Sequence, residues 1–165
     1  YDKEICVNEK VFCAIKKADL IIFSTGSLLT SVIPHLLNTE LNEAIKNSKA
    51  EKMYICNLFT QPGETDNYTV SDHVKKIEEY LGEKSIDIIM ANNEKMNSNL
   101  VKKYATNEQK DPVRLDTKEI MAMNKKMIAD KLYLVENGFF RHDSLKTAYL
   151  VFSYLMDGKT YDFYN

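Results

Sequence analysis

The sequence predicts a three-layer, Rossmann-like α/β fold, in which helices cover both faces of a mostly parallel β-sheet. Short apolar runs bounded by turn residues, typical of buried strands, alternate along the chain with segments of helical spacing. These intervening segments have about ten residues or more, as a crossover between parallel strands requires. We therefore expect βαβ units, whose ligands bind beyond the carboxyl ends of the strands.

The strands are predicted from the apolar runs. Three such runs cover residues 18–23, 52–57 and 85–92, and turn residues such as Gly26 follow the first of them. Less regular runs at 112–115 and 127–133 are further strand candidates.

The helices are predicted from apolar residues that recur every three or four positions. Residues 31–48 show this spacing, with a break at Asn38 and Thr39 that divides the segment into two helices. Thr69 and Asp72 have the spacing of a capping box at the start of the next helix. Residues 93–105 are weakly helical, and 145–156 form a terminal amphipathic helix.

Composition excludes several classes of protein. The net charge is −2 and the charges of both signs are interspersed, so there is no clustered basic face for nucleic acid. The three cysteines lack C-x-x-C spacing, which argues against a zinc site or a disulfide framework and fits a reducing cytosol. No apolar run is long enough to span a membrane and no signal peptide is visible, so we expect a cytoplasmic protein.

The first candidate site follows the first strand, where Gly26 and Ser27 precede Thr30 and Ser31. Backbone N–H groups and hydroxyls at a helix start can bind a phosphate. The segment matches neither G-x-G-x-x-G nor the P-loop pattern, and serines and threonines are also ordinary helix caps. Both interpretations remain open from the residues alone.

The second candidate is the long polar loop that follows the second strand. It runs from Asn57 to Thr69, whereas βα connections usually have about 2–6 residues. Unusual length in a compact domain favours a binding role, although a solvated loop would also be polar. The side chains that could bind a sugar, a ribose or a base edge are those of Gln61, Glu64, Thr65 and Asp66, and Pro62 and Gly63 shape the turn.

Other chemical roles have less support. Arg141 could pair with a phosphate, but a surface arginine followed by a helix cap at Asp143 is the more ordinary interpretation. Cys56 lies in a predicted buried strand and is interpreted as a core residue rather than as a nucleophile paired with His73. Glu64 and Asp66 could hold Mg²⁺ together with a ligand phosphate.

Three segments together closely resemble the YvcK-like family of gluconeogenesis factors, which are related to the CofD transferases. They read ADLIIFSTGSLLTSVIPHLL, YICNLFTQPGETDNYTVSDHV and FFRHDSLKTA, in that order. The resemblance implies a cytoplasmic α/β protein that binds a nucleotide-type ligand. In the YvcK branch this ligand is a UDP-sugar such as UDP-N-acetylglucosamine, and the role is in cell shape, wall synthesis and growth on gluconeogenic carbon sources.

The resemblance also implies a set of ligand-binding residues and partners. The residues carried over are Gly26, Ser27, Thr30, Ser31, Asn57, Thr60, Gln61, Gly63, Glu64, Thr65, Asp66 and Arg141. The implied partners are a nucleotide-sugar and a protein of cell-wall synthesis, and a homo-oligomer is a further expectation. The CofD branch instead transfers a phospholactyl group to a deazaflavin with Mg²⁺ and a guanylylated donor. We expect a regulator rather than an enzyme.

The chain departs from the family pattern at two places. The family's first loop reads GPGSLYTS, whereas Ser24, Thr25 and Leu29 replace its Gly, Pro and Tyr here; in the second loop Asn67 replaces a glycine. Asn tolerates left-handed backbone, so the second change is the milder one. The Gly-rich GGGTG loop of the family does not occur in this sequence. We therefore expect residues 1–165 to be one α/β domain, equivalent to the C-terminal half of a longer family protein and containing only that part of the sheet.

Overall fold

A four-stranded parallel sheet forms the centre of the chain. The structure, a computed structural model, describes residues 6–156. The strand order is β1-β2-β3-β4, which are Leu20–Phe23, Glu51–Ile55, Ile88–Asn92 and Lys126–Asp130. An antiparallel hairpin of β5 (Tyr133–Glu136) and β6 (Phe139–His142) stands beside this sheet.

Helices fill the connections between the strands. They are α1 (Glu9–Lys17), α2 (Ile33–Leu36), α3 (Thr39–Lys46), α4 (Val70–Leu81), α5 (Ser98–Glu108), α6 (Thr117–Ala122) and α7 (Ser144–Met156). A wide π-helical turn, Leu28–Val32, leads directly into α2. Asn38 caps the start of α3 by accepting a hydrogen bond from the Leu41 N–H, as the predicted break in this segment requires.

Two apolar cores cover opposite faces of the sheet, because successive strand residues point to opposite sides. On β2 and just after it, Tyr54 and Cys56 face a core formed with α2, α3, α4 and α6. Met53 and Ile55 face a second core that includes Tyr104 of α5 and Leu150 of α7. The predicted three-layer α/β architecture with a parallel sheet is therefore confirmed.

The predicted capping box at the start of α4 is confirmed. The Thr69 N–H donates to Asp72 Oδ2 at 2.9 Å, and the Asp72 N–H donates back to Thr69 Oγ1 at 3.4 Å. The first of these hydrogen bonds lowers the pKa of Asp72, because it stabilises the charged carboxylate. Helix α4 therefore begins directly where the long polar loop ends.

Some local predictions were wrong. Residues 112–115 form isolated bridges, Phe59 to Pro112 and Thr69 to Arg114, rather than a strand, because this segment pairs with the polar loop instead of the sheet. The run 127–133 is two strands, since β4 ends at Asp130 and β5 begins at Tyr133. The helices α1 and α6 were not predicted.

The described part of the chain leaves two apolar surfaces open. A groove of about 650 Å³ runs along the β1 edge between α1 and α2, and Ile22 in its wall is 41% exposed. Helix α7 exposes a stripe of large side chains, of which Leu145 is 83% exposed. Within residues 6–156, no helix is both long enough and apolar enough to cross a membrane.

Candidate functional site

The two loops predicted as candidate sites meet at the carboxyl edge of the sheet. They follow β1 and β2, which are adjacent and parallel, so their carboxyl ends lie at the same edge. Ser27 Oγ donates a hydrogen bond to Glu64 Oε2 at 2.6 Å. Asn57 Nδ2 donates to the Gly26 carbonyl oxygen at 3.1 Å. The fold thus joins segments that are more than thirty residues apart in the sequence.

The first loop is a tight turn that begins a helix. The Gly26 N–H donates to the Ser24 carbonyl at 2.9 Å, and a Cβ on Gly26 would lie only 2.9 Å from the Ser31 Cβ, so the turn requires glycine. Ser27 Oγ accepts from the Thr30 N–H at 3.2 Å and from Thr30 Oγ1 at 2.6 Å. The capping interpretation of Ser27 is therefore confirmed, and the same hydroxyl also binds Glu64.

The second loop is held by hydrogen bonds within itself. Thr65, which is 1% exposed, accepts from the Gln61 N–H through Oγ1 at 2.9 Å. Asp66 Oδ2 accepts from the Gly63 N–H at 2.8 Å, and Gly63 has a positive φ of 77°. Asn67 also has a positive φ, of 63°, which fits an asparagine in place of the family's glycine. These hydrogen bonds fix the loop backbone, while Pro62 and Gly63 at its tip remain exposed.

A segment that sequence reasoning did not connect with the site supports this loop from the other side. Thr60 donates its N–H to the Asp111 carbonyl at 2.8 Å, and Thr60 Oγ1 accepts from the Asp111 N–H at 3.1 Å. The Val113 N–H donates to the Leu58 carbonyl at 3.0 Å. Thr60 is 3% exposed, so its hydroxyl is committed to holding the loop.

Two buried oxygen atoms in this region have no hydrogen-bond donor in the described part of the chain. They are Asn57 Oδ1 and Gln61 Oε1. Buried polar atoms are nearly always paired in folded proteins, so unpaired acceptors indicate a missing donor, such as a ligand hydroxyl, a ligand N–H or a water. Both atoms belong to residues predicted to bind the ligand.

The carboxylates of the loop are only partly free for a metal. Glu64 uses one oxygen for Ser27, and Asp66 uses one oxygen for the Gly63 N–H. Among residues 6–156, no group of three or more His, Cys, Asp or Glu side chains is placed to hold a metal ion. A Mg²⁺ ion at Glu64 and Asp66 would take its remaining oxygens from water and from a bound phosphate.

A buried polar layer lies beneath the second loop. His73 is fully buried, its Nδ1 is 2.8 Å from the Thr69 carbonyl oxygen, and its Nε2 has no hydrogen-bond partner among the described residues. Burial lowers the pKa of His73. Burial also raises the pKa of the Cys56 thiol to about 12, so the thiolate required of a nucleophile is disfavoured. The interpretation of Cys56 as a core residue is confirmed.

The third predicted segment contacts the second loop through an aromatic pair, since the ring centres of Phe140 and Phe59 are 5.3 Å apart. Arg141 lies on β6 with its guanidinium 5.6 Å from the centre of the Phe139 ring. Within the described chain, no hydrogen bond or ion pair connects Arg141 to the loops at Ser27 and Glu64. Asp143 Oδ1 accepts from the Lys146 N–H at 2.9 Å, so the helix-cap interpretation of Asp143 is confirmed.

A further depression at the same edge was missed by sequence reasoning. A groove of about 660 Å³ opens at the carboxyl end of β3, beside the start of α5. Lys95, Lys102 and Arg114 are among its lining residues. The three cations are scattered over twenty positions of sequence, so no local motif indicated them.

The fold and the loops together define a class of protein. This is a parallel α/β domain with ordered polar loops at the carboxyl edge of its sheet, the usual place for a ligand in such folds.

Comparison with known proteins identifies the family. The family described as 2-phospho-L-lactate transferase CofD matches residues 2–133, and the chain belongs to this family. The chain is 41% identical over 143 residues to a protein of Bacillus subtilis named gluconeogenesis factor, and 42% identical over 135 residues to one of the same name from Halalkalibacterium halodurans. These matches confirm the resemblance found in the sequence.

A solved structure confirms the fold. The crystal structure of a UPF0052-family protein from Bacillus halodurans superimposes with a TM-score of 0.82 at 39% identity, covering 88% of this chain and 46% of that one. The two sequence matches cover 87% and 82% of this chain. The chain spans 45% and 42% of the length of those two relatives, and 33% of that of a related protein from Clostridium acetobutylicum.

Proposed function

We propose that this chain forms one wall of a nucleotide-sugar site in a cytoplasmic regulatory factor that serves growth and cell shape under gluconeogenic conditions. The ligand class is a UDP-sugar, and the residues are those of the two joined loops. The relatives named gluconeogenesis factor support the physiological part of the proposal. The remaining walls would come from the portion of the family fold that lies outside this sequence.

The main support for the ligand proposal is the hydrogen-bonded contact between the two loops, called here the Ser27–Glu64 junction. Ser27 and Glu64 are hydrogen-bonded at 2.6 Å, and the second loop also contains the unpaired oxygens of Asn57 and Gln61. A sugar or ribose offers neighbouring hydroxyl groups, which can donate to the two unpaired amide oxygens and to the second carboxylate oxygen of Glu64. This arrangement supports recognition of a polyhydroxyl group at the β1–β2 end of the edge.

The proposed mechanism is regulatory. The ligand would bind one conformational state of the complete protein better than another and so shift the population that engages a partner of cell-wall synthesis. The size of this shift is limited by the difference between the ligand's affinities for the two states. We also propose that the complete protein forms a homo-oligomer.

Titration of the chain with UDP-N-acetylglucosamine tests the ligand. We expect amide chemical-shift changes in residues 26–31 and 57–66. The substitution Gln61→Met, which keeps the backbone bond to Thr65, should weaken binding by about tenfold because a buried acceptor for the ligand is lost. Gln109→Met, at an exposed position that ends α5, is the matched control. An absence of shifts at saturating ligand would refute the proposal and favour a structural role without a ligand.

A transferase is the second candidate, and the family description itself favours it. Such an enzyme would use the same edge of the sheet with Mg²⁺ at Glu64 and Asp66. Incubation with a labelled guanylylated donor, a deazaflavin acceptor and Mg²⁺ tests it. Formation of a labelled acceptor that is lost in Glu64→Gln would establish this activity, whereas binding of the UDP-sugar without turnover would favour the regulator.

A further inference from the structure

A groove beside α5 is lined by Lys95, Lys102 and Arg114 and is called here the cationic groove. It lies at the carboxyl end of β3, where Asn92 and Asn93 also contribute to its wall. It therefore belongs to the same edge of the sheet as the two polar loops, one strand further along the order β1-β2-β3.

The charges in the cationic groove are not neutralised by ion pairs. None of Lys95, Lys102 and Arg114 makes an ion pair within residues 6–156, whereas nearby Lys110 pairs with Glu108 at 2.8 Å. Glu94 is the acid among the lining residues, so three cations and one acid leave a net charge of +2. Exposed cations converging on a cavity of about 660 Å³ are suited to an anionic ligand.

The β1–β2 end of the edge has the opposite character. Glu64 places a carboxylate on the hydroxyl of Ser27, directly at the turn that would otherwise receive a phosphate. A second negative charge at this short range would be repelled. Hydroxyl groups of a ligand fit this end, and its phosphates fit the cationic groove.

Backbone hydrogen bonds connect the segment that lines the cationic groove with the second loop and the start of α4. Arg114 accepts a hydrogen bond from the Val70 N–H through its carbonyl at 3.1 Å, and the adjacent Val113 bonds to Leu58 in the second loop. The carboxyl ends of β1 and β3 are two strand spacings apart, which is about 10 Å. A nucleoside diphosphate can span this distance.

We propose that the cationic groove binds the diphosphate of the nucleotide-type ligand, while the Ser27–Glu64 junction binds a hydroxyl-bearing part of it. This assignment rests on the proposed function. It orients the ligand along the sheet edge, with its hydroxyl-bearing part at the β1–β2 end and its diphosphate at the β3 end. It differs from the expectation from sequence, in which the phosphates bind at the Gly26–Ser31 turn.

Inorganic pyrophosphate is the probe that tests the groove by itself. The variant pair Lys102→Gln with Arg114→Gln removes two groove cations, and Lys103→Gln with Lys118→Gln removes two exposed cations outside the lining. Both pairs lower the net charge by the same amount, so the general attraction of the protein for anions is matched. We expect pyrophosphate to bind about tenfold more weakly to the groove pair and within about twofold of the parent to the control pair.

A parallel titration with UDP-N-acetylglucosamine separates the two proposals. Selective weakening in the groove pair supports both. Equal weakening in the two pairs, with binding retained, overturns the groove assignment but leaves the ligand proposal standing. Selective pyrophosphate binding without any UDP-sugar binding supports the groove and overturns the UDP-sugar. Absence of pyrophosphate shifts at the groove overturns the groove assignment.

Discussion

The two ends of the carboxyl edge differ in charge and in how the chain builds them. At the β1–β2 end, a carboxylate, hydroxyls and amide oxygens come from two continuous loops that hydrogen-bond to each other. At the β3 end, Lys95, Lys102 and Arg114 converge from separate segments and make no ion pairs in the described structure. An edge whose charges are interspersed in the sequence is therefore polarised once the chain folds.

The polarisation matters because a nucleotide-sugar is itself divided into neutral hydroxyl-bearing rings and an anionic diphosphate. A site with uniform charge would bind such a ligand in either direction. Separation of the acid from the cations gives the two ligand orientations different electrostatic energies.

The largest effect should come from Gly26→Ala, which disrupts the β1–β2 end alone. The new Cβ would lie 2.9 Å from the Ser31 Cβ, so the turn must shift, and we expect a loss of about 1–3 kcal/mol in the free energy of unfolding. Denaturant unfolding measures this loss. The double variant with Ser31→Gly removes the opposing Cβ and should recover most of the stability. Failure of this recovery would mean that the close contact is not the reason for Gly26.

A smaller effect should appear when the pH is lowered. Burial lowers the pKa of His73 from its ordinary value of 6.5, so the unfolded chain binds protons more readily than the folded one. Stability is therefore fully present above pH 6.5 and falls as the pH drops below that value, with a slope of at most about 1.4 kcal/mol per pH unit for one histidine.

The substitution His73→Leu should reduce this slope, measured by denaturant unfolding at several pH values. Part of the slope should remain, because burial also lowers the pKa of His142. His35→Asn, which changes an exposed histidine, is the control. An unchanged slope in His73→Leu would contradict a neutral, buried His73 beneath the second loop.

The smallest effect should be that of Glu64→Gln on pyrophosphate binding. The substitution keeps an oxygen for Ser27 and removes the negative charge of the β1–β2 end. If the anion binds about 10 Å away in the cationic groove, most of this charge effect is screened, and we expect a change below about twofold. A large gain in affinity would place the anion beside Glu64 and remove the contrast between the two ends.

Much of the fold could be predicted from the sequence, because the strong apolar runs and the helix caps act locally. The strands at Leu20–Phe23 and Ile88–Asn92 lie within the predicted runs, Glu51–Ile55 overlaps the run 52–57, and the capping box at Thr69 forms as its spacing requires. The parallel sheet with two covered faces follows from the lengths of the connections. The meeting of the loops after β1 and β2 follows from the same rule, although the Ser27–Glu64 bond does not.

The features that could not be predicted depend on tertiary contacts. Residues 112–115 have strand-like composition, but the Val113 N–H donates to the Leu58 carbonyl and the Arg114 carbonyl accepts from the Val70 N–H, so this segment pairs with the polar loop and the start of α4 and not with the sheet. The cationic groove forms only when residues before, within and after α5 come together. These residues are Lys95, Lys102 and Arg114. The family resemblance predicts Arg141 as a ligand residue, whereas its position on the hairpin depends on pairing with Leu134, which the neighbouring residues do not indicate.

The internal bonding of the second loop has a consequence for the thermodynamics of binding. Hydrogen bonds between Gln61 and Thr65, Gly63 and Asp66, and Thr60 and Asp111 fix its backbone from within the chain. Ordering a flexible loop costs roughly 1–2 kcal/mol of backbone conformational entropy for each residue fixed. A ligand that binds this preorganised loop avoids most of that entropic penalty, so even a few well-placed hydrogen bonds can contribute directly to affinity.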